Sequence, residues 1–235
     1  MRSVFRFKQF EVDQGTCAMK INTDGVLLGG LTHFPEAKHI LDIGTGTGVI
    51  ALMLAQSHPE ADIDAVEIDE EAYQQAKINF QRSDFSHRLK AFWGSFTDIQ
   101  PPSSYDLIVS NPPFYTNSLH NPDVRKRLAK HTDILFFEKL LSFVSDHLTN
   151  NGQFRCILPT MLADEEIVPM LSQYNLSIQY EMAISSFIGE SPIRKVLGIG
   201  KTEVRLERSS VWIYAEKGVH SSFYKKLLEP YFLAF

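Results

Sequence analysis

The stretch between His39 and Ser57 limits most strongly how this chain can fold. His39 to Ile43 is a short apolar strand, Gly44-Thr45-Gly46-Thr47-Gly48 is a turn with alternate glycines, and Val49 to Ser57 is an apolar helix. A strand that passes through a glycine-rich turn directly into a helix opens a βαβ unit. The alternation continues. Asp62 to Ile68 reads as a strand and Glu70 to Gln81 as a helix, Leu89 to Trp93 and Tyr105 to Ser110 as two more strands. Phe136 to Leu148 is apolar at helical spacing, and Gly152 to Leu158 is another apolar strand. This pattern predicts an α/β fold around a mostly parallel sheet. Residues 178–184 and 203–215 are rich in β-branched and aromatic residues, with Gly189, Pro192, Gly198 and Gly200 between them. They are expected to form a terminal antiparallel hairpin that closes the sheet. Residues 1–34, interrupted by Gly15, Gly25, Gly29 and Gly30, show little periodicity. They are expected to form an N-terminal cap on a main domain of residues 35–235.

Composition excludes several classes. With 44% hydrophobic and 22% charged residues, the 235-residue chain has the make-up of a soluble globular protein. A formal net charge of -5 argues against a surface coated in positive charge, as generic duplex binders often have. The basic and aromatic N-terminus is not followed by the apolar core and cleavage site of a secretory signal. No apolar run is long enough to span a bilayer. The two cysteines, Cys17 and Cys156, lack CxxC spacing, and the eight histidines form no HExxH arrangement. No metal and a reducing, cytoplasmic compartment are therefore expected.

The glycine turn is the first chemical signal. Glycines at a strand-to-helix junction let a ligand approach backbone N–H groups at the helix start. The dinucleotide fingerprint GxGxxG beginning at Gly44 would require glycine at position 49, where the chain has Val49. The preceding Asp42 would repel a phosphate but suits an ammonium or a ribose. The turn therefore reads as a site for S-adenosylmethionine (SAM) rather than for NAD. Glu67, at the end of the second strand of the alternation, can accept both hydroxyls of a ribose. Read alone, Glu67 and Asp69 are equally well solvated loop carboxylates; beside the glycine turn the ribose reading is the stronger.

Ser110-Asn111-Pro112-Pro113-Phe114 follows an apolar strand. Two prolines stiffen the loop, remove two N–H donors and leave carbonyl acceptors. An adenine amino nitrogen is a poor nucleophile because its lone pair is delocalised into the ring. Acceptors on the Asn111 side chain and the Pro112 carbonyl could hold its two hydrogens and turn the lone pair outward. Phe114 offers a face for stacking a splayed base. An Asn-Pro turn beside a buried phenylalanine is the plain alternative, and the neighbouring glycine turn weighs against it.

Asp42-x-Gly44-x-Gly46-x-Gly48 together with Asn111-Pro112-Pro113-Phe114 resembles the class I amino-methyltransferases that act on adenine N6, guanine N2 or glutamine amide nitrogens. Four further stretches are similar to bacterial tRNA1(Val) adenine-37 N6-methyltransferases: Phe7-Lys8-Gln9-Phe10, Cys17 to Gly29, Arg127-Leu128-Ala129-Lys130-His131, and Phe223 to Phe235. The likeness runs through essentially the whole chain. It implies a Rossmann-like class I SAM-dependent fold with a seven-stranded sheet and methyl transfer from SAM to N6 of adenine-37. Lys20, Thr23 and Gly25 would close the pocket over the methionine part of SAM. Asp42, Gly44, Thr45, Gly46 and Gly48 would hold its amino acid and ribose region. Glu67 would take the ribose hydroxyls with Ile68 beside it, and Ser95 and Phe96 would lie by the cofactor adenine. Ser95 stands where that family usually has an acidic residue.

Arg125, Lys126, Arg127, Lys130 and His131 cluster just after the Asn-Pro-Pro-Phe loop. Spacing alone allows a solvated helix start or a phosphate-tracking surface. The resemblance favours RNA, with an anticodon stem-loop as partner. A monomer is expected, on no feature of the sequence. Alternatives are a methyltransferase of the same superfamily acting on rRNA amino groups or a protein glutamine, and a non-catalytic RNA-binding module. An NAD oxidoreductase is disfavoured by Val49.

Overall fold

The computed structural model describes residues 3–15, 20–99, 104–113 and 124–235, and in the helix that starts at 124 it describes side chains from 134 onward. A nine-stranded sheet forms the middle layer, in the order β11-β10-β8-β9-β7-β6-β3-β4-β5. A small antiparallel pair precedes it, β1 (Val4–Arg6) with β2 (Glu11–Asp13). The alternation read from sequence is present: β3 (His39–Ile43), α2 (Val49–Ser57), β4 (Asp62–Glu67), α3 (Glu70–Arg82), β5 (Leu89–Trp93), β6 (Tyr105–Ser110), α4 (Val124–His147) and β7 (Leu148–Pro159). These five strands pair in parallel throughout. Their faces are covered by two separate cores. One packs α2, the inner side of α3 and the aromatic residues Phe7, Phe10 and Tyr224 against the sheet; the other packs Phe137, Leu140, Leu141 and Val144 of α4 with residues from 163 to 176.

Local chemistry sets the helix starts. Asp69 caps α3 by accepting from Ala72 N at 2.8 Å, with Glu70 and Glu71 in the positive first turn. Helix α2 begins at Gly48 and is buried on nearly every side, which its uniformly apolar sequence requires.

Two regions differ from the sequence expectation. Residues 1–34 include a regular helix, α1 (Thr23–Leu31), capped by Asn22. Its glycines are not breaks. A Cβ at Gly29 would lie 2.8 Å from Met53 Sδ of α2, so glycine lets the two helices pack closely.

The C-terminal part extends the sheet to nine strands, beyond the seven implied. An antiparallel hairpin is there, but β8 (Ser177–Phe187) pairs with β9 (Arg194–Gly200). The stretch read as its partner, β10 (Glu207–Glu216), runs parallel to β8 on the outer side and then pairs with the two-residue β11 (Val219–His220). Gly198 and Gly200 misled the reading: they are strand residues over which Tyr180, Gln153 and Gln179 pack. Between β7 and β8 lies an irregular helical run that includes α5 (Thr160–Leu162) and α6 (Val168–Met170). The last helix, α7 (Ser222–Leu228), packs on α1. The chain ends meet there, with Lys8 Nζ donating to the Glu229 and Phe235 carbonyls at 2.6 and 3.0 Å.

Candidate active site

A cavity of about 470 Å³ opens at the carboxyl ends of β3, β4, β5 and β6, the edge where open parallel sheets bind ligands. Its size suits a nucleoside-sized molecule. The glycine turn forms its floor. Gly44 and Gly46 have φ of +72° and +56°, and a Cβ on either would face open space. The turn is fastened from beneath, because Gly44 N and Thr45 N both donate to Val66 O, at 2.9 and 3.2 Å. Gly48 serves differently: at φ +84°, a Cβ there would collide with the Phe80 ring. Asn79, fully buried on α3, donates to Thr47 O and to Asp13 O, both at 2.9 Å, and so ties the turn to the N-terminal strands.

Two carboxylates flank the turn. Glu67 accepts from Gly46 N at 2.8 Å through Oε2 and from Asp69 N at 2.9 Å through Oε1. Each oxygen keeps a further lone pair for a hydroxyl. Asp42 lies behind the turn, wholly buried, and its Oδ2 accepts from Thr45 Oγ1 at 2.6 Å. Its Oδ1 has no hydrogen-bond partner among the described residues. Burial pushes the Asp42 carboxyl up to about 7 against the opposing Thr45 hydrogen bond and the pull of the Ala51 backbone N–H, and the charge of Glu67 acts in the same sense as burial. The open glycine cradle, with the spare lone pairs of Glu67 at its edge, fits a ligand that carries a ribose.

Opposite the turn stands the Asn111 loop. Ser110 Oγ donates to Ile43 O at 3.0 Å and locks the end of β6 to β3. Asn111 and Pro113 line the cavity, while Pro112 is buried beneath. The first turn of α1 comes close to this loop. Gly25 N donates to the Asn22 side chain at 2.8 Å, and a Cβ on Gly25 would lie 3.9 Å from Asn111 Nδ2. Arg194, at the start of β9, holds that turn through Asp24 at 2.8 Å.

The structure thus brings Lys20, Gly25, Gly44, Thr45, Gly46, Glu67, Ile68, Ser95, Phe96, Asn111 and Pro113 around one cavity. Thr23, Asp42, Gly48 and Pro112 lie next to it without lining it. Phe114 and the side chains of Arg125, Lys126, Arg127, Lys130 and His131 are outside the described residues. Sequence reasoning missed Ile21, Asn22, Asp69, Phe136 and Lys139, which also line the cavity. For Phe136 and Lys139 the signal was i, i+3 spacing on α4, visible only once Phe96 is seen against Phe136 and Phe143, with ring centroids 5.7 and 5.5 Å apart. Among the described residues no cluster of His, Cys, Asp and Glu could hold a metal ion, and no helix is long and apolar enough to cross a membrane.

Comparison with known proteins gives the family. The model of the methyltransferase small domain family matches residues 7–175. The chain belongs to that family. A tRNA1(Val) (adenine(37)-N6)-methyltransferase from Pedobacter heparinus is 48% identical to it over 235 residues, covering 100% of both sequences. Among solved structures, a predicted O-methyltransferase from Agrobacterium tumefaciens superposes with a TM-score of 0.68 at 19% identity, over 88% of this chain and 96% of that one. TYW2 from P. horikoshii, solved in complex with MeSAdo, gives a TM-score of 0.57 at 16% identity, over 86% of this chain and 72% of that one. These two likenesses bear on fold alone, and the fold is that of class I methyltransferases. The match to the methyltransferase small domain family takes in the glycine turn, Glu67 and the Asn111 loop together.

Proposed function

We infer that this protein methylates N6 of adenine-37, beside the anticodon, in tRNA1(Val), with SAM as methyl donor. The observation that carries the chemistry is the placing of Asn111 across one cavity from the glycine turn and Glu67. The full-length relative from Pedobacter heparinus, named for this reaction, supports the substrate.

Glu67, held by Gly46 and Asp69, would accept the ribose hydroxyls, and the Gly44–Gly46 cradle would take the ligand against its backbone. Asp42 would put a carboxylate beneath the cationic part of the ligand. SAM, when bound, would supply a methyl on a positively charged sulfur that becomes a neutral thioether when the methyl is given to the nitrogen. The chain's own task is to prepare the nucleophile. Asn111 Oδ1 and the Pro112 carbonyl accept the two N6 hydrogens, which favours a tetrahedral nitrogen with its lone pair free over the planar ground state. The nitrogen becomes acidic once methylated and gives its proton to water, so positioning supplies most of the rate. Phe114 would stack the flipped base, and Arg125, Lys126, Arg127, Lys130 and His131 would follow the anticodon-loop phosphates.

The test is methyl transfer from labelled SAM to unmodified tRNA, with nucleoside mass spectrometry to locate the product. N6-methyladenosine at position 37 is expected. No transfer to any tRNA, with SAM bound normally, would overturn the substrate assignment and point to rRNA amino groups or a protein glutamine.

A further inference from the structure

The end of the cavity beyond Glu67 holds a hydrogen-bond chain whose direction can be worked out. The strand ends run in the order β3, β4, β5. A nucleoside lying on the β3 turn, with its ribose at Glu67 on β4, therefore puts its base over the loop after β5. That loop is Gly94-Ser95-Phe96-Thr97-Asp98. It is held firmly: Phe96 is buried with its edge against Phe136 and Phe143, and Asp98 N closes a turn on Ser95 O at 3.0 Å. Of its polar side chains, Ser95 lines the cavity and those of Thr97 and Asp98 are outside it and exposed.

Thr97 Oγ1 lies 3.2 Å from Asp98 Oδ1 and donates to it, because a carboxylate only accepts. Thr97 has one hydroxyl proton, so with that proton on Asp98 the 2.8 Å contact between Ser95 Oγ and Thr97 Oγ1 is donated by Ser95. One lone pair of Ser95 Oγ receives the Thr97 backbone N–H at 3.3 Å. In that arrangement Ser95 offers the cavity one remaining lone pair and no proton.

We propose that Thr97 and Asp98 are positioning residues that make Ser95 Oγ a pure acceptor, and that this acceptor selects an amino-substituted over an oxo-substituted purine in the nucleoside cofactor. The inference rests on the SAM reading above and adds the basis of base selectivity. A 6-amino group donates to Ser95. A 6-oxo group meets it lone pair to lone pair, and specificity comes from that mismatch as well as from the favourable bond.

The experiment is calorimetric titration with S-adenosylhomocysteine and its 6-oxo analogue, S-inosylhomocysteine. The readout is the ratio of the two affinities on each sample, which partial misfolding leaves unchanged. Wild type should prefer the adenosyl ligand by about tenfold, the size of one hydrogen bond gained against one frustrated. Thr97→Val frees the Ser95 proton to turn toward an oxo group, and the ratio should fall to about twofold or less. Thr97→Ser should restore the wild-type ratio, and Ser95→Asp should keep it, since a carboxylate only accepts. An unchanged ratio in Thr97→Val overturns the relay while leaving the cofactor assignment intact. Failure of wild type to bind S-adenosylhomocysteine overturns the cofactor assignment and the relay with it.

Discussion

The two walls of the cavity are built in different ways. The wall from β3, β4 and β5 is made of backbone: the turn's N–H groups are fastened to Val66 and Glu67, and Asn79 ties it to the N-terminal strands. The wall from β6 is made of a few side chains, with Asn111 half-buried and Pro113 exposed, on a loop stiffened by two prolines. On the proposed reading, ligand affinity and folding stability depend on the same bonds at the first wall. On the second, a residue can govern the reaction rate while contributing little to the fold. Substitutions on the two walls should therefore separate stability and affinity from rate.

The largest effect on stability is expected at Gly48. Alanine there meets a left-handed backbone and the Phe80 ring, and should lower stability in urea denaturation by about 3 kcal/mol. Binding of S-adenosylhomocysteine should be lost along with it; near-wild-type values of both would break the link drawn for the first wall.

A smaller effect is expected for Glu67→Gln, which keeps an acceptor but loses charge and one backbone bond. Calorimetry should show about tenfold weaker S-adenosylhomocysteine binding, and urea denaturation about 1 kcal/mol less stability. The transfer rate at saturating SAM should stay within about twofold of wild type, and a large fall in that rate would blur the two walls.

The last effect is a pH dependence rather than the cost of a substitution. Asp42 has a folded-state pKa of about 7, above its unfolded value of about 3.9. The folded state holds that proton the more tightly, so the contribution to stability is complete below pH 4 and is lost as pH rises through 7. Ligand-free wild type should lose stability between pH 5 and 8 relative to Asp42→Asn. Parallel pH profiles in urea denaturation would show that Asp42 is not titrating in this range.

The first wall was legible in the sequence because its chemistry lies in one continuous stretch, Asp42 to Gly48, with Glu67 one βα unit later. Asn111 was legible for the same reason. Lys139 and Phe136 were not, since which face of α4 meets the cavity is decided by Phe96, far away in the chain. Helix α1 was hidden because its glycines answer to the packing of Met53 and Leu228 rather than to any local turn. The pairing of β8 with β9 and β10 was misread because Gly198 and Gly200 resemble loop residues until Tyr180 and Gln179 are seen to occupy the space above them. Local patterns reveal a turn or a loop; they do not reveal what another segment packs into.

The most direct test of the account compares wild type with Asn111→Ala by single-turnover methyl transfer to tRNA and by S-adenosylhomocysteine titration on the same preparations. The account predicts a rate lower by about a hundredfold to a thousandfold, with affinity within about twofold and an unchanged melting temperature. A preserved rate, or a rate and an affinity that fall together, would contradict the role given to Asn111.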